Sequence, residues 1–272
     1  SDLIPAGWAT SESHFGFDLA ASSVVAILVA LVVIGRIERI GKLTVRLVPS
    51  MVLLYLFMTV TVMVTYAADI PATLMLIVTD AFTGEAAASG SIMAVILIGV
   101  RRGAFSNEAG IGTESMAHGA AKTAEPIREG VVAMVGPVID TLLVCTCTAL
   151  IILLTGVWQT ENGIEGVTLT ARAIEQVFPL IGNYLLLIMV GLLSFSTMVT
   201  MWFYGVKCMG FLFGAKRQYW YTPIYLILLL AGAVVSMDIV NGLILATYAT
   251  MAIPTMISAL YLAPKVNQAA EK

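Results

Sequence analysis

The chain has 272 residues, of which 59% are hydrophobic and 11% charged, and its mean hydropathy is +0.96. Soluble domains carry about 25% charged residues, so a water-facing surface cannot be built from this composition, which is that of an integral membrane protein. A soluble enzyme, a nucleic-acid binder and a disordered chain are excluded. The net charge of −3 gives a polyanion nothing to hold, and the three cysteines have no metal-type neighbours, so neither a disulfide framework nor a zinc site fits.

A spanning helix needs about 20 mostly apolar residues. Seven stretches qualify, roughly 19–35, 47–67, 91–122 (interrupted), 128–156, 180–212, 220–236 and 239–262. Their apolar residues run continuously instead of alternating, which predicts helices and not a barrel. Residues 1–18 are expected as an external loop, 19–262 as one transmembrane domain and 263–272 as a cytoplasmic tail. Ile70 to Phe82 starts with Pro71 and is too short to cross, so an interfacial helix is expected there. Gly156 to Phe178 should be a loop with a short helix on one membrane face.

Seven crossings also sort the basic residues. One side collects Arg36, Arg39, Lys42, Arg46, Lys122, Arg128, Lys207, Lys216, Arg217, Lys265 and Lys272, and the other only Arg172. Arg101 and Arg102 fall within a span. The N-terminal end is therefore expected outside and the C-terminal end inside.

The third stretch contains Gly103, Gly110 and Gly112, each costing about 1 kcal/mol in a helix interior. Ser106 and Asn107 compete for backbone hydrogen bonds. Unpaired backbone at membrane depth is tolerated only where it lines a cavity or is buried in protein. Broken helices of this kind build the sites of many secondary transporters, their half-helix termini and free carbonyls holding charged groups. The expectation is a break over Ser106–Gly112 followed by a short helix from Thr113. The bland alternative is a cytoplasmic re-entrant loop with Arg101 and Arg102 as the positive-inside end of the span. Glu108 would lie deep in the membrane, where an ionisable group is costly and functional by default. It could meet a substrate ammonium, a cation, or Arg101 or Arg102.

In the fourth stretch Gly136–Pro137 should kink the helix, and Asp140 is either a cation or proton site or an acceptor for freed backbone N–H groups. Cys145 and Cys147 point apart on a helix and are read as packing residues. In the fifth stretch Ser194, Ser196 and Thr197 place three hydroxyls in four residues. Such oxygens suit a small hard cation, or hydrogen bonding between helices. Ser115, His118 and Asp140 could be imagined as a hydrolytic set, but no nucleophile-elbow pattern accompanies them.

The run Gly103-Ala-Phe-Ser-Asn-Glu-Ala-Gly-Ile-Gly112, preceded by Val100-Arg-Arg and followed by Glu125-Pro-Ile-Arg-Glu-Gly130, resembles the signature of the alanine or glycine:cation symporter family. So do Ile139-Asp-Thr-Leu-Leu-Val-Cys-Thr-Cys-Thr-Ala149 with Leu153-Leu-Thr-Gly156, Phe195-Ser-Thr197 with Trp202-Phe-Tyr-Gly205, and Gly35-Arg-Ile-Glu-Arg-Ile40. The likeness covers residues from about 20 to 262.

This resemblance implies an all-α transporter of the leucine-transporter-type inverted-repeat fold, in the amino acid–polyamine–cation superfamily. The seven spans would be its helices four to ten. It implies sodium-coupled symport of alanine or glycine across the cell membrane by alternating access, with no covalent chemistry and no cofactor beyond the coupling ion. Phe105 would cap the substrate, Ser106 and Asn107 would contact it, and Glu108 and Gly110 would lie beside it. Ser196 and Thr197 would supply a sodium site, and Asp140 would stand near a second cation. Family members carry three helices ahead of the first span here. The chain is therefore expected to be the C-terminal two-thirds of a symporter, either from an incomplete or split reading frame or pairing with a separate N-terminal half, or else a truncated, non-transporting membrane remnant or scaffold. An intramembrane hydrolase is the third reading.

Overall fold

The computed structural model describes residues 14–34, 37–82, 92–160, 166–233 and 235–270, and they are helical nearly throughout. Helix α1 is His14–Val33, α2 Ile37–Thr65, α3 Ile70–Phe82, α4 Ile92–Asn107, α5 Thr113–His118 and α6 Pro126–Pro137. A π-helical segment, Val138–Cys145, leads into α7, Thr146–Thr155, and then come α8, Val157–Thr160, and α9, Val167–Val177. The chain ends in α10, Gly182–Phe213, α11, Tyr221–Gly232, and α12, Met237–Ala270.

Sequence chemistry accounts for the boundaries. Pro126 opens α6, a position where its missing N–H costs nothing and its fixed φ is already helical. Gly156 closes α7 at φ 70° and Gly214 follows α10 at φ 85°, as expected of the residue best able to leave the right-handed helix. Three boundaries differ from expectation. Helix α1 starts five residues before 19, at His14, leaving residues 1–13 of the expected external loop outside the described residues. The expected loop before residue 47 is helical from Ile37, and α12 continues through Pro254 and Pro264 to Ala270 instead of stopping at 262. Amphipathic or apolar periodicity alone cannot place such ends, because charged residues extend a helix into an interface as readily as apolar ones extend it through lipid.

Among the described residues, four helical stretches are long and apolar enough to cross a membrane: Arg46–Thr65, Pro126–Thr155, Gly182–Phe213 and Ile239–Val266. The other three expected spans are shorter. Leu19–Val33 is an apolar piece below that length, α4 is ended by the break at 16 residues, and α11 is cut to 12 by the turn of 3-10 helix at Gln218–Trp220 and by Gly232. The long stretches carry their apolar side chains outward: of the most apolar 18 residues in each, 28% are buried in Arg46–Thr65 and none in Ile239–Val266. That exterior is suited to hydrocarbon and not to water. The segment read as interfacial is a helix with the expected bounds, Ile70–Phe82.

The chain divides into two compact units, Ser1–Met58 with Ile164–Leu243, and Thr59–Gly163 with Ile244–Lys272. In the first, Val29 and Val33 of α1 pack on Val199, Trp202 and Val206 of α10, with Tyr221 and Tyr225 of α11 around them. Trp202 donates to Thr222 (3.2 Å) and Tyr225 to the Met198 carbonyl (2.7 Å), so the polar ends of these large side chains are satisfied. Helix α9 turns Thr170, Ala171, Ala173 and Ile174 inward against α10. In the second unit, α3 packs on α7, α5 on α6, and α4 on the π-helical segment. That last pairing builds the site.

Candidate functional site

Helix α4 ends at Asn107 and α5 begins at Thr113, so the interruption covers residues 108–112. It is shorter than the expected Ser106–Gly112, because Phe105, Ser106 and Asn107 form the last turn of α4. The reason is local. The Glu108 N–H still reaches the Ala104 carbonyl (3.1 Å), and the Asn107 Oδ1 accepts from the Ala109 N–H (2.8 Å). The asparagine thus closes the helix with the Asx turn its side chain favours. Gly103, despite its expected cost, remains helical.

The interruption itself is held in left-handed backbone. Glu108 has φ 54°, Gly110 79° and Gly112 114°. For a glutamate this conformation costs about 1–2 kcal/mol and persists only where its surroundings impose it. Those surroundings are specific. Thr113 Oγ1 donates to Glu108 Oε2 at 2.6 Å, and Tyr248 Oη of α12 donates to Oε1 at 3.3 Å. Both carboxylate oxygens therefore meet hydroxyls. Neither Arg101 nor Arg102 forms an ion pair with Glu108 among the described residues, so the structural pairing offered as an alternative gives way to these donors.

The last turn of α4 is tied to the π-helical segment. Ser106 Oγ donates to Asp140 Oδ2 (2.6 Å) and lies 3.4 Å from Cys145 Sγ, while Asn107 Nδ2 donates to Thr141 Oγ1 (3.0 Å). Asp140 thus accepts from a side-chain hydroxyl, where the sequence suggested freed backbone donors or a cation. The wide π turn accompanies the predicted disturbance at Pro137, and such turns are frequent at functional sites. On the far side Thr255 Oγ1 shares its proton between the Met251 carbonyl (3.0 Å) and the Ile111 carbonyl (3.2 Å). Helix α12 comes so close that a Cβ on Gly112 would stand 2.7 Å from Thr255 Oγ1.

An open pocket of about 210 Å³ adjoins the break, walled by Arg101, Ala104, Phe105 and Ile111 on one side and Leu245, Tyr248 and Ala252 on the other. The Phe105 and Tyr248 rings pack at a tilt of 39° with centroids 5.5 Å apart. Ile111 and Thr113 are buried, whereas Asn107 and Glu108 are half-buried and Ser106 is exposed. Apart from Arg101 and the Tyr248 hydroxyl the pocket's walls are apolar, and the carboxylate, amide and hydroxyls of the break adjoin it in the chain.

Ser106, Asn107, Glu108, Gly110 and Asp140 are therefore brought together in one unit, with Phe105 on the cavity wall. Ser196 and Thr197 belong to the other unit, on the unbroken α10. There Thr197 Oγ1 donates back to the Leu193 carbonyl (3.0 Å) and Thr200 Oγ1 to the Ser196 carbonyl (2.9 Å). The imagined hydrolytic set does not assemble. Ser115 donates to the Gly112 carbonyl, His118 Nδ1 pairs with Glu129 at 2.7 Å, and Asp140 is held by Ser106. Tyr248 and Thr255 are absent from the sequence reading. The one available signal was Gly112, a position whose glycine implies that something approaches closely.

The profile of the sodium:alanine symporter family matches residues 8–272. The uncharacterized transporter YflA of Bacillus subtilis is 36% identical over 89% of this chain and 53% of its own length. The sodium/alanine symporter AgcS of Methanococcus maripaludis is 34% identical over 92% of the chain and 56% of its own length. The probable sodium/glutamine symporter GlnT of Bacillus subtilis is 33% identical over 76% and 43% respectively. The chain spans about half the length of these relatives. With a match running almost from end to end, it belongs to the sodium:alanine symporter family.

Proposed function

We propose that this chain is part of a sodium-coupled symporter of small neutral amino acids, alanine or glycine, crossing the cell membrane seven times on the leucine-transporter-type scaffold. The observation that carries the reading is the interruption at 108–112, with the side chains of Asn107 and Glu108 and the apolar cavity beside it. Relatives named for sodium/alanine and sodium/glutamine symport support amino acid and sodium as the transported pair.

In this reading the substrate ammonium meets Glu108 and the carbonyls of the break, Ser106 and Asn107 turn from Asp140 and Thr141 to contact the amino acid, Gly110 lies beside it, and Phe105 caps it. Thr197 gives up its bond to the Leu193 carbonyl and joins Ser196 in ligating sodium, and Asp140 serves a second cation. No bond is made or broken. Sodium drives uptake only if its site and the amino-acid site favour the same conformation, a coupling free energy between two bound ligands.

The test is uptake of radiolabelled alanine into vesicles carrying this sequence within a transporter of the relatives' length, with and without a sodium gradient. Uptake that requires sodium supports the reading. Equal uptake without sodium removes the coupling, and no uptake under either condition favours a non-transporting membrane protein. Competition by unlabelled glycine, serine and glutamine orders the substrates.

A further inference from the structure

The interruption is braced on two sides, and only one of them lies next to it in the sequence. The π-helical segment, about 35 residues on, holds Ser106 and Asn107. Helix α12 contributes Tyr248 and Thr255, which reach Glu108 and Ile111 across 140 and 144 residues of chain. Seven residues is close to two helical turns, so both residues stand on one face of α12, their Cα atoms about 10 Å apart along its axis. Tyr248 adds its ring against Phe105, and Thr255 sits against Gly112 where no side chain would fit. A glutamate in left-handed backbone needs such outside determination.

We propose that α12 is the splint that fixes the break in its binding shape, with Tyr248 the positioning residue for the Glu108 carboxylate and Thr255 the positioning residue for the Ile111 carbonyl. Neither side chain need touch the substrate. The Tyr248 hydroxyl restrains one carboxylate oxygen while Thr113 restrains the other, so rotation of the group breaks both hydrogen bonds. The Thr255 hydroxyl fixes the carbonyl at the end of the loop. Both act through the peptide and the carboxylate that the proposed function uses, and the transport consequence rests on that reading.

The experiment compares Tyr248→Phe, Thr255→Val and Thr255→Ser with the parent protein, purified in detergent and reconstituted in vesicles. Backbone hydrogen–deuterium exchange over residues 104–118 reads the splint directly and does not depend on transport. Faster exchange there in Tyr248→Phe and Thr255→Val, parental exchange in Thr255→Ser, and no change along α10 are the expected results. In vesicles the alanine KM should rise about three- to tenfold with the maximal rate within about twofold, the effect of one lost hydrogen bond. Placing Tyr248→Phe in a Glu108→Ala background should add nothing further, because the two residues act as one unit. Unchanged exchange in both hydroxyl-removing variants overturns the proposal, as do independent, multiplying effects of Tyr248→Phe and Glu108→Ala on KM. A parent that takes up no alanine with sodium overturns the symport reading alone, and the exchange result still decides the splint.

Discussion

The hydroxyls of α10 and those around the break are the same chemical groups put to opposite uses. On α10, Thr197 and Thr200 fold back onto carbonyls four residues earlier, so they satisfy themselves within an unbroken 32-residue helix. Around residues 108–112, Ser106 and Tyr248 reach other segments of the chain, Thr113 reaches back across the break to Glu108, and Thr255 adds the Ile111 carbonyl to its bond within α12. Self-satisfied hydroxyls leave a helix free to move as a rod. Hydroxyls that reach outward hold an irregular backbone whose own hydrogen bonds have been given up. The contrast shows where shape is imposed by tertiary contacts and where it is intrinsic to the helix.

The largest expected effect comes from one methyl group at the break. Gly112→Ala places a Cβ 2.7 Å from Thr255 Oγ1 at φ 114°, and should lower stability by about 2–3 kcal/mol in thermal unfolding of the detergent-solubilised protein. A parental melting temperature would mean that α12 does not press on the break. Next, Asn107→Ala removes both the bond to Thr141 and the turn that ends α4. Amino-acid affinity measured by equilibrium binding should fall about tenfold or more in the complete transporter, and unchanged affinity counts against the site. On α10, Thr197→Ala should raise the half-saturating sodium concentration about fivefold if its hydroxyl leaves the Leu193 carbonyl to ligate the ion. Sodium dependence that stays intact means that the hydroxyl only bonds its own helix. The smallest effect sharpens the contrast from the other direction. A Cβ added at Gly191, within α10, would meet nothing within 4 Å, so Gly191→Ala should stabilise the protein by up to about 1 kcal/mol in the same unfolding assay.

The break was legible from its residues because its causes are local. Gly110 and Gly112 permit left-handed backbone, and Asn107 is a residue that ends helices with its own side chain. The extra helical turn at Phe105–Asn107 was not legible, since residues that compete with a helix are also those that cap it. The π-helical register of Val138–Cys145 escaped for a different reason: Gly136–Pro137 announces a disturbance without saying which one. Tyr248 and Thr255 lie on an apolar helix with no local sign of use, and their partners are 140 and 144 residues away. Apolar patterning found the long helices and also the segment Ile70–Phe82. It could not tell that α11 is only 12 residues long, because flanking Tyr, Trp and Ala are as apolar as the helix they adjoin.

Two native cysteines give the most direct test of where the amino acid binds. Cys145 is partly buried, 3.4 Å from the Ser106 hydroxyl, and Cys208 is exposed on α10. With Cys147 replaced by alanine, the rate of alkylation at each thiol can be followed by mass spectrometry with and without saturating alanine and sodium. A substrate held at the break slows alkylation of Cys145 and leaves Cys208 reacting at its original rate. Equal rates at Cys145 with and without alanine and sodium would contradict the account.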